Sequence, residues 1–185
     1  MSRPFAYWRR AGRAAILALP ALALLQACSK TDEITAPDAS FDSAEPASIV
    51  SLPAATNQIM DIVDAVTAAW AAKDATAYAA PYAVDAQLVS PLGGLMVGRE
   101  AFRNQHVFLF NGPFAGSTQT IAVRDIIFLS GTNALVLQDV TLTGYAFLPP
   151  GLPSANGVVR NRAVWGVEKR AGKWEIVFQQ MTPQL

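Results

Sequence analysis

Residues 68–94 read AAWAAKDATAYAAPYAVDAQLVSPLGG, and the order of patterns in this stretch decides the fold. A helical pattern ends at a tight break predicted at Lys73, and Asp74 is the predicted N-cap of a short second helix. The segment AVDAQLVS then has the composition of a strand, and PLGG is typical of a turn leading into the short strand LMV. The stretch therefore predicts a helix pair followed by a small hairpin.

Two longer helices are predicted on either side of this stretch. Residues 52–72 carry apolar side chains at helical spacing, which predicts the first helix of the domain. After Gly98, the sequence REAFRNQHVFLF predicts a third helix over residues 99–110. The offsets i, i+4, i+7 and i+8 place four side chains on one face of that helix: Phe102, His106, Leu109 and Phe110.

From Ser117 onward the helical pattern gives way to β-rich runs that are separated by turn signals. Four long strands are predicted: STQTIAVRDIIFLS, ALVLQDVTLTGYAF, VVRNRAVWGVEKR and WEIVFQQMT. Long runs in hairpin succession make a curved antiparallel sheet, and three amphipathic helices need a face to cover. The predicted class is therefore α+β, with the three N-terminal helices gathered on one side of the sheet.

Residues 1–27 have the features of a secretory signal peptide. Four arginines and no acid precede an apolar run, which is shorter than the roughly 20 residues that span a bilayer. Residues 25–28, LQAC, resemble the bacterial lipobox, which implies cleavage before a lipid-modified Cys28. The alternative is an ordinary signal peptide that is cut nearby and leaves a spare thiol.

Residues 28–51 are predicted to be the lipidated Cys28 followed by a disordered tether. Five acids, two prolines and few large apolar residues cannot bury enough surface to offset the entropy of ordering. Several acyl chains on one residue anchor a protein stably to a membrane. Ser29 after the cysteine, by resemblance to Gram-negative lipoproteins, implies delivery to the outer membrane, facing the periplasm.

Charge and composition argue against several classes of partner. Cleavage before Cys28 leaves 158 residues with 10 basic and 14 acidic side chains, a net charge of −4, so no nucleic-acid partner is expected. One histidine and scattered carboxylates do not assemble a zinc or non-haem iron site, so no metal is expected. No phosphate-loop, nicotinamide or flavin motif is present, so no cofactor is expected either.

Three motifs together resemble the nuclear transport factor 2-like superfamily, and within it the SnoaL-like and SgcJ/EcaC-like bacterial branch. They are residues 68–94, GREAFRNQH at 98–106 and GKWEIVFQQMT at 172–182. The resemblance implies that residues 52–185 form one domain whose cone-shaped sheet curls around a pocket. This fold hosts isomerases, cyclases, hydrolases and binding modules, so function must be read from the pocket.

The same resemblance implies a homodimer, because members of the superfamily commonly pair through the open outer face of the sheet. Whichever of Val123, Ile127 and Trp165 face outward would then be covered by a second copy.

Ser90 stands where the ketosteroid isomerases of this superfamily carry a general-base aspartate, since their D-P-x-G context corresponds here to SPLGG. A neutral hydroxyl cannot take a proton from carbon as a carboxylate can, so isomerisation by that route is not expected. Ser90 either initiates the turn before Pro91 or contacts a ligand.

His106 is the candidate catalytic residue, with Asp139 as its candidate partner. His106 either packs with one satisfied hydrogen bond or acts on a ligand as an acid–base group. Strand alternation lets only one of Gln138 and Asp139 face the pocket. An inward Asp139 would form a dyad with His106 in which each supports the other's charged form. An outward Asp139 would be a solvated strand residue.

The aromatic residues of the helices and strands either form ordinary core or line a pocket for a flat apolar ligand. One of Gln179 and Gln180 must point inward, and Arg160 and Arg162 share a face where they either bind a carboxylate or pair with surface acids. The predicted pocket-lining set is Trp70, Tyr78, Tyr82, Ser90, Phe110, Trp165 and Gln179.

Two functions are compatible with these features. The first is a membrane-anchored lipoprotein whose cone-shaped pocket binds a small hydrophobic or amphipathic molecule. The alternative is a cofactor-free enzyme of the polyketide cyclase or ketosteroid isomerase-like kind that uses His106 as its acid or base.

Overall fold

The computed structural model describes residues 52–184, which form an α+β domain. The predicted signal peptide, Cys28 and the tether lie outside the described residues and stay predictions. None of the helices in the described part of the chain combines the length and hydropathy needed to cross a bilayer. The helices are α1 (Leu52–Ala72), α2 (Ala75–Ala79) and α3 (Arg99–Asn111). The strands are β1 (Tyr82–Val89), β2 (Leu95–Val97), β3 (Thr118–Phe128), β4 (Asn133–Thr143), β5 (Val159–Arg170) and β6 (Lys173–Pro183).

The break between α1 and α2 forms as the sequence predicts. Lys73 adopts a positive φ of 56°, and the carboxylate of Asp74 accepts hydrogen bonds from the backbone N–H groups of Thr76 and Ala77, both at 2.9 Å. These bonds satisfy two of the free donors at the start of α2. The Lys73 ammonium also donates to the backbone carbonyls of Trp70 and Ser117, which ties the end of α1 to the start of β3.

The six strands form one sheet in the order β2-β1-β6-β5-β4-β3. The successive hairpins from β3 to β6 are antiparallel, as predicted. β1 pairs in parallel with the edge of β6 that faces away from β5, with Tyr82 opposite Ile176. Register shifts interrupt the ladders at Val123/Asp125 and at Gly166/Val167, and such bulges bend and twist a sheet.

The core lies between the concave face of the sheet and the helices. The apolar stripe of α1 is buried, including Ile59, Val66 and Trp70. Strand alternation places Val136, Trp165 and Ile176 inward, where they pack in the same cluster as the helix stripe. The predicted arrangement, a curved sheet covered by three helices, is therefore confirmed.

The outer face of the sheet carries its own apolar side chains. Ile127 lies opposite Leu135, and Leu135 and Phe178 flank Gly166 in the same cross-strand row. Leu137 and Val164 form a second outward pair. Of the three positions considered for a dimer contact, only Ile127 belongs to this face, because Trp165 is buried and Val123 lies opposite the inward Gln138.

Candidate functional site

A cavity of about 400 Å³ opens between the helices and the concave face of the sheet. One wall is formed by α3 together with the end of α1 and α2, and the floor is formed by β3 to β6. The mouth is bordered by the β1–β2 turn and by the loop 144–158. The lining side chains from the helices are Trp70, Tyr78, Phe102, Gln105, His106 and Leu109, and those from strands β3 to β6 are Gln119, Val140, Leu142, Val159, Asn161, Gln179 and Met181.

His106 lies in the helical wall, surrounded by aromatic rings. Its ring centroid is 4.2 Å from that of Phe102, 4.5 Å from that of Tyr78 and 5.6 Å from that of Phe110. The helical spacing of α3 places His106 one turn after Phe102 and one turn before Phe110, so all three turn toward the sheet. The predicted inward face of this helix is confirmed.

The tautomer of His106 follows from its hydrogen bond to the backbone, and its charge follows from its burial. Its Nδ1 lies 2.9 Å from the backbone carbonyl oxygen of Phe102, and because a carbonyl only accepts, Nδ1 carries the hydrogen. Burial lowers the pKa of His106 to about 4, so the ring is neutral near pH 7. The Nε2 lone pair is then available as a hydrogen-bond acceptor at the cavity wall.

Gln179 has a fixed amide orientation. Its Oε1 accepts hydrogen bonds from the Tyr82 hydroxyl at 2.7 Å and from the Trp165 indole Nε1 at 2.8 Å. The indole N–H can only donate, so the atom that faces it must be the amide oxygen. The NH₂ group of Gln179 is consequently left as a donor on a residue that lines the cavity. Tyr82 and Trp165 stand behind this residue and hold it.

Three further polar residues of the cavity, Tyr78, Gln119 and Ser90, are weakly paired or hold a turn. The Tyr78 hydroxyl lies 3.5 Å from the Gln119 amide, and burial raises the pKa of Tyr78 to about 12. The Ser90 hydroxyl accepts a hydrogen bond from the backbone N–H of Gly94 at 3.0 Å. Ser90 therefore holds the β1–β2 turn and also borders the cavity, so both of its anticipated roles remain compatible with the structure.

Of the two alternatives for Asp139, the structure has the outward one, and the dyad with His106 does not form. Gln138 is the inward residue of the pair, and Asp139 lies on the outer face of β4, where it forms ion pairs with Arg124 and Arg162. The hydrogen bond from Arg124 lowers the pKa of Asp139, which keeps it ionised on the surface. The sheet separates this carboxylate from the imidazole, so it cannot hold a proton on His106.

Five of the predicted residues meet at the cavity: Trp70, Tyr78, Ser90, His106 and Gln179. Three others, Tyr82, Phe110 and Trp165, are buried behind the lining. Gln180 is exposed. Arg160 and Arg162 lie on the outer face, where Arg162 pairs with Asp139.

Asn161 is one of three polar lining residues that sequence reasoning missed, together with Gln105 and Gln119. It alternates along β5 with Val159, Ala163 and Trp165, all of which are buried. That alternation is a signal for an inward side chain.

No charged side chain belongs to the cavity lining within the described residues. In the same part of the chain, no group of three or more His, Cys, Asp or Glu side chains is placed to hold a metal ion. The lining can therefore offer apolar contact together with neutral hydrogen-bond donors and acceptors.

Comparison with known proteins relates the chain to others by structure alone. No protein-family model and no curated protein matches it. The structure is similar to a nuclear transport factor 2-like protein from Shewanella oneidensis, with a TM-score of 0.57 and 18% identity over 69% of this chain and 98% of that one. It is also similar to a ketosteroid isomerase-like protein from Erwinia carotovora atroseptica, with a TM-score of 0.54 and 18% identity over 70% and 95%.

A third similar structure is a protein with a cystatin-like fold from Caulobacter vibrioides, with a TM-score of 0.62 and 18% identity over 70% of this chain and 89% of that one. These identities are too low to transfer an activity, because the same fold hosts unrelated functions. The described domain has the nuclear transport factor 2-like, cystatin-like fold.

Proposed function

We propose that this protein binds a small, uncharged and largely apolar molecule in the cavity. The observation that carries the proposal is the absence of any charged side chain from the lining formed by residues 52–184. An ionised ligand would lose its hydration there without gaining an opposite charge. The volume of about 400 Å³ falls within the roughly 300–1,000 Å³ typical of small-molecule sites.

Two polar groups with fixed orientations on opposite walls favour an amphipathic ligand. The Nε2 of His106 accepts a hydrogen bond from the helical wall, and the NH₂ of Gln179 donates one from the sheet. Each group is oriented by a contact behind it, to Phe102 in the first case and to Tyr82 and Trp165 in the second. A molecule with a few polar groups on an apolar body suits this arrangement.

The enzyme alternative has less support from the site. General acid–base catalysis is most effective when the catalytic pKa lies near the working pH, whereas the pKa of His106 is about 4. Asp139 lies on the other side of the sheet, and Ser90 stands where a ketosteroid isomerase carries its base. The finer assignment to the SnoaL-like and SgcJ/EcaC-like branch is part of this proposal and rests on the sequence motifs.

Titration of the full-length protein with N-phenyl-1-naphthylamine, a neutral fluorescent probe with two aromatic groups, tests the proposal. We expect saturable binding at one site. Leu109→Trp, which fills the cavity from α3, should weaken binding at least about tenfold, or 1.4 kcal/mol. Val107→Trp places the same side chain on the exposed side of that helix and should leave binding unchanged. Equal affinity in both folded variants would contradict the proposal.

The cellular location is a further part of the proposal. Cys28 is proposed to carry the lipid anchor because residues 25–28 follow a basic segment and a short apolar run. Wild-type protein expressed in a Gram-negative host should fractionate with the outer membrane and carry acyl chains on Cys28 by mass spectrometry. Cys28→Ser should accumulate as unprocessed precursor. Recovery of soluble wild-type protein that begins near Cys28 without acyl chains would contradict this location.

We also propose a homodimer formed through the outer face of the sheet. The apolar residues Ile127, Leu135 and Phe178 share one row there, and exposed apolar patches commonly mark protein interfaces. Leu135→Asp should convert the dimer to a monomer in sedimentation velocity, whereas Thr141→Asp on the same face of the same strand should not. Wild-type protein that sediments as a monomer at high micromolar concentration would rule out this interface.

A further inference from the structure

Two neighbouring amide side chains on the concave face carry buried polar atoms without hydrogen-bond partners. Asn161 is 5% exposed and Gln138 is fully buried. Within residues 52–184, neither Oδ1 of Asn161 nor Oε1 and Nε2 of Gln138 has a partner. Buried polar groups are normally paired, and an unpaired one destabilises the fold relative to an apolar side chain of the same shape. Stability therefore does not account for amides at these two positions.

Strand register makes the two amides diagonal neighbours, with Asn161 in the cavity floor and Gln138 next to it. Asn161 lies opposite Val140, and Gln138 lies opposite Ala163, so Asn161 and Gln138 are diagonal neighbours on the same face. Asn161 and Val140 both line the cavity. Met181, which lies opposite Ala163, lines it as well. Gln138 therefore has two lining residues as neighbours, Val140 two positions along the same strand and Asn161 on the diagonal.

Gln179, on the same face, is an amide whose oxygen is fully paired within the protein. Its oxygen is paired with both the Tyr82 hydroxyl and the Trp165 indole. The unpaired state of Asn161 and Gln138 is thus a property of their position and not of glutamine and asparagine in this sheet generally.

We propose that Asn161, with Gln138 beside it, forms the polar end of the ligand site and selects a neutral hydroxyl group. This inference rests on the proposed binding function and narrows it to alcohols and phenols. The Oδ1 of Asn161 requires a hydrogen-bond donor, and the Gln138 amide offers both a donor and an acceptor next to it. A hydroxyl group both donates and accepts, and it brings no charge into a lining that could not neutralise one.

The inference is tested with 2-naphthol and 2-methylnaphthalene. The two compounds share a ring system, and the hydroxyl group of the first is replaced by a methyl group in the second. Both are competed against N-phenyl-1-naphthylamine on the full-length protein, and the ratio of their dissociation constants is measured. Asn161→Leu should shift this ratio about tenfold toward 2-methylnaphthalene, equivalent to 1.4 kcal/mol. Most of the change should come from weaker binding of 2-naphthol. Comparing ratios between proteins cancels the different hydrophobicity of the two compounds.

A second readout separates this role from a structural one. Asn161→Leu and Gln138→Met should keep or raise the unfolding midpoint of the ligand-free protein, since each replaces an unpaired amide by an apolar group of similar shape. A lower midpoint, or failure of Asn161→Leu to fold, would show that the amides are already paired, by ordered water for example, and would overturn the inference.

The outcomes also distinguish a failure of this inference from a failure of the proposed binding function. If neither naphthalene nor the fluorescent probe binds, the proposed function itself is wrong. Binding of both naphthalenes with a ratio that Asn161→Leu leaves unchanged would defeat only the hydroxyl inference. A ratio that shifts in His106→Phe but not in Asn161→Leu would assign the hydroxyl to the imidazole instead, which also overturns it.

Discussion

Acidification from pH 7 to pH 4 is expected to lower the free energy of unfolding by about 3 kcal/mol through His106 alone. Burial holds the pKa of this imidazole at about 4, against 6.5 for an unperturbed ring. Because the fold favours the neutral form, the contribution is fully present above pH 6.5 and is lost as the pH falls toward 4. A loss of this size is a large share of the roughly 5–15 kcal/mol that stabilises a typical domain.

Urea denaturation at pH 7, 5.5 and 4.5 measures this effect, and His106→Phe is its control. The chain contains one histidine, so this variant should lose the pH dependence across that window. The carboxylates of Asp85, Glu100 and Asp139 have pKa values lowered by hydrogen bonds from arginines. Their contributions begin to fall only near pH 5 and are lost mainly below the roughly 4 at which free carboxylates titrate, so they change little across this window. An unchanged pH dependence in His106→Phe would show that the buried ring is not held neutral.

Gln179→Met is expected to lower the free energy of unfolding by about 2–5 kcal/mol, because it leaves two buried donors unpaired. The Tyr82 hydroxyl and the Trp165 indole both donate to the Gln179 oxygen, at 2.7 and 2.8 Å. Methionine matches glutamine in length but cannot accept a comparable hydrogen bond from either donor. Each orphaned donor loses its partner without regaining water.

The matched control is Gln180→Met on the same strand, where the side chain is exposed. It should change stability by less than about 0.5 kcal/mol, as surface substitutions usually do. Urea denaturation followed by tryptophan fluorescence measures both variants, since Trp165 reports directly on the altered site. Equal effects of the two substitutions would mean that the Gln179 oxygen does not carry the two hydrogen bonds.

Helix-break, cap and turn residues explain why the helix pair and the small hairpin could be predicted, and helical spacing explains the inward face of α3. Lys73 and Asp74 mark a helix break and a cap within two residues, and Gly98 separates β2 from α3. The position of His106 follows from helical spacing once the neighbouring aromatics fix the buried side. These signals act over a few residues and do not depend on distant contacts.

The orientation of β4 at its polar residues could not be predicted in the same way. Gln138 and Asp139 are each flanked by apolar residues at alternate positions, so the period-2 pattern gives two equivalent solutions. The choice is made by partners far along the chain, where Arg124 and Arg162 hold Asp139 outside. A single sequence also cannot separate cavity-lining aromatics from those one layer behind, which is where Tyr82, Phe110 and Trp165 proved to lie.

The parallel pairing of β1 with β6 has a consequence for how the domain assembles. Tyr82 and Ile176 are partners although about ninety residues separate them, and closing so long a loop slows folding because its entropic cost precedes the contacts that repay it. Tyr82 and Gln179, which meet across this pairing, hold the cavity floor. The cavity floor is therefore completed only when β1 and β6 have paired, and the ligand proposed above would stabilise the paired state by binding to it.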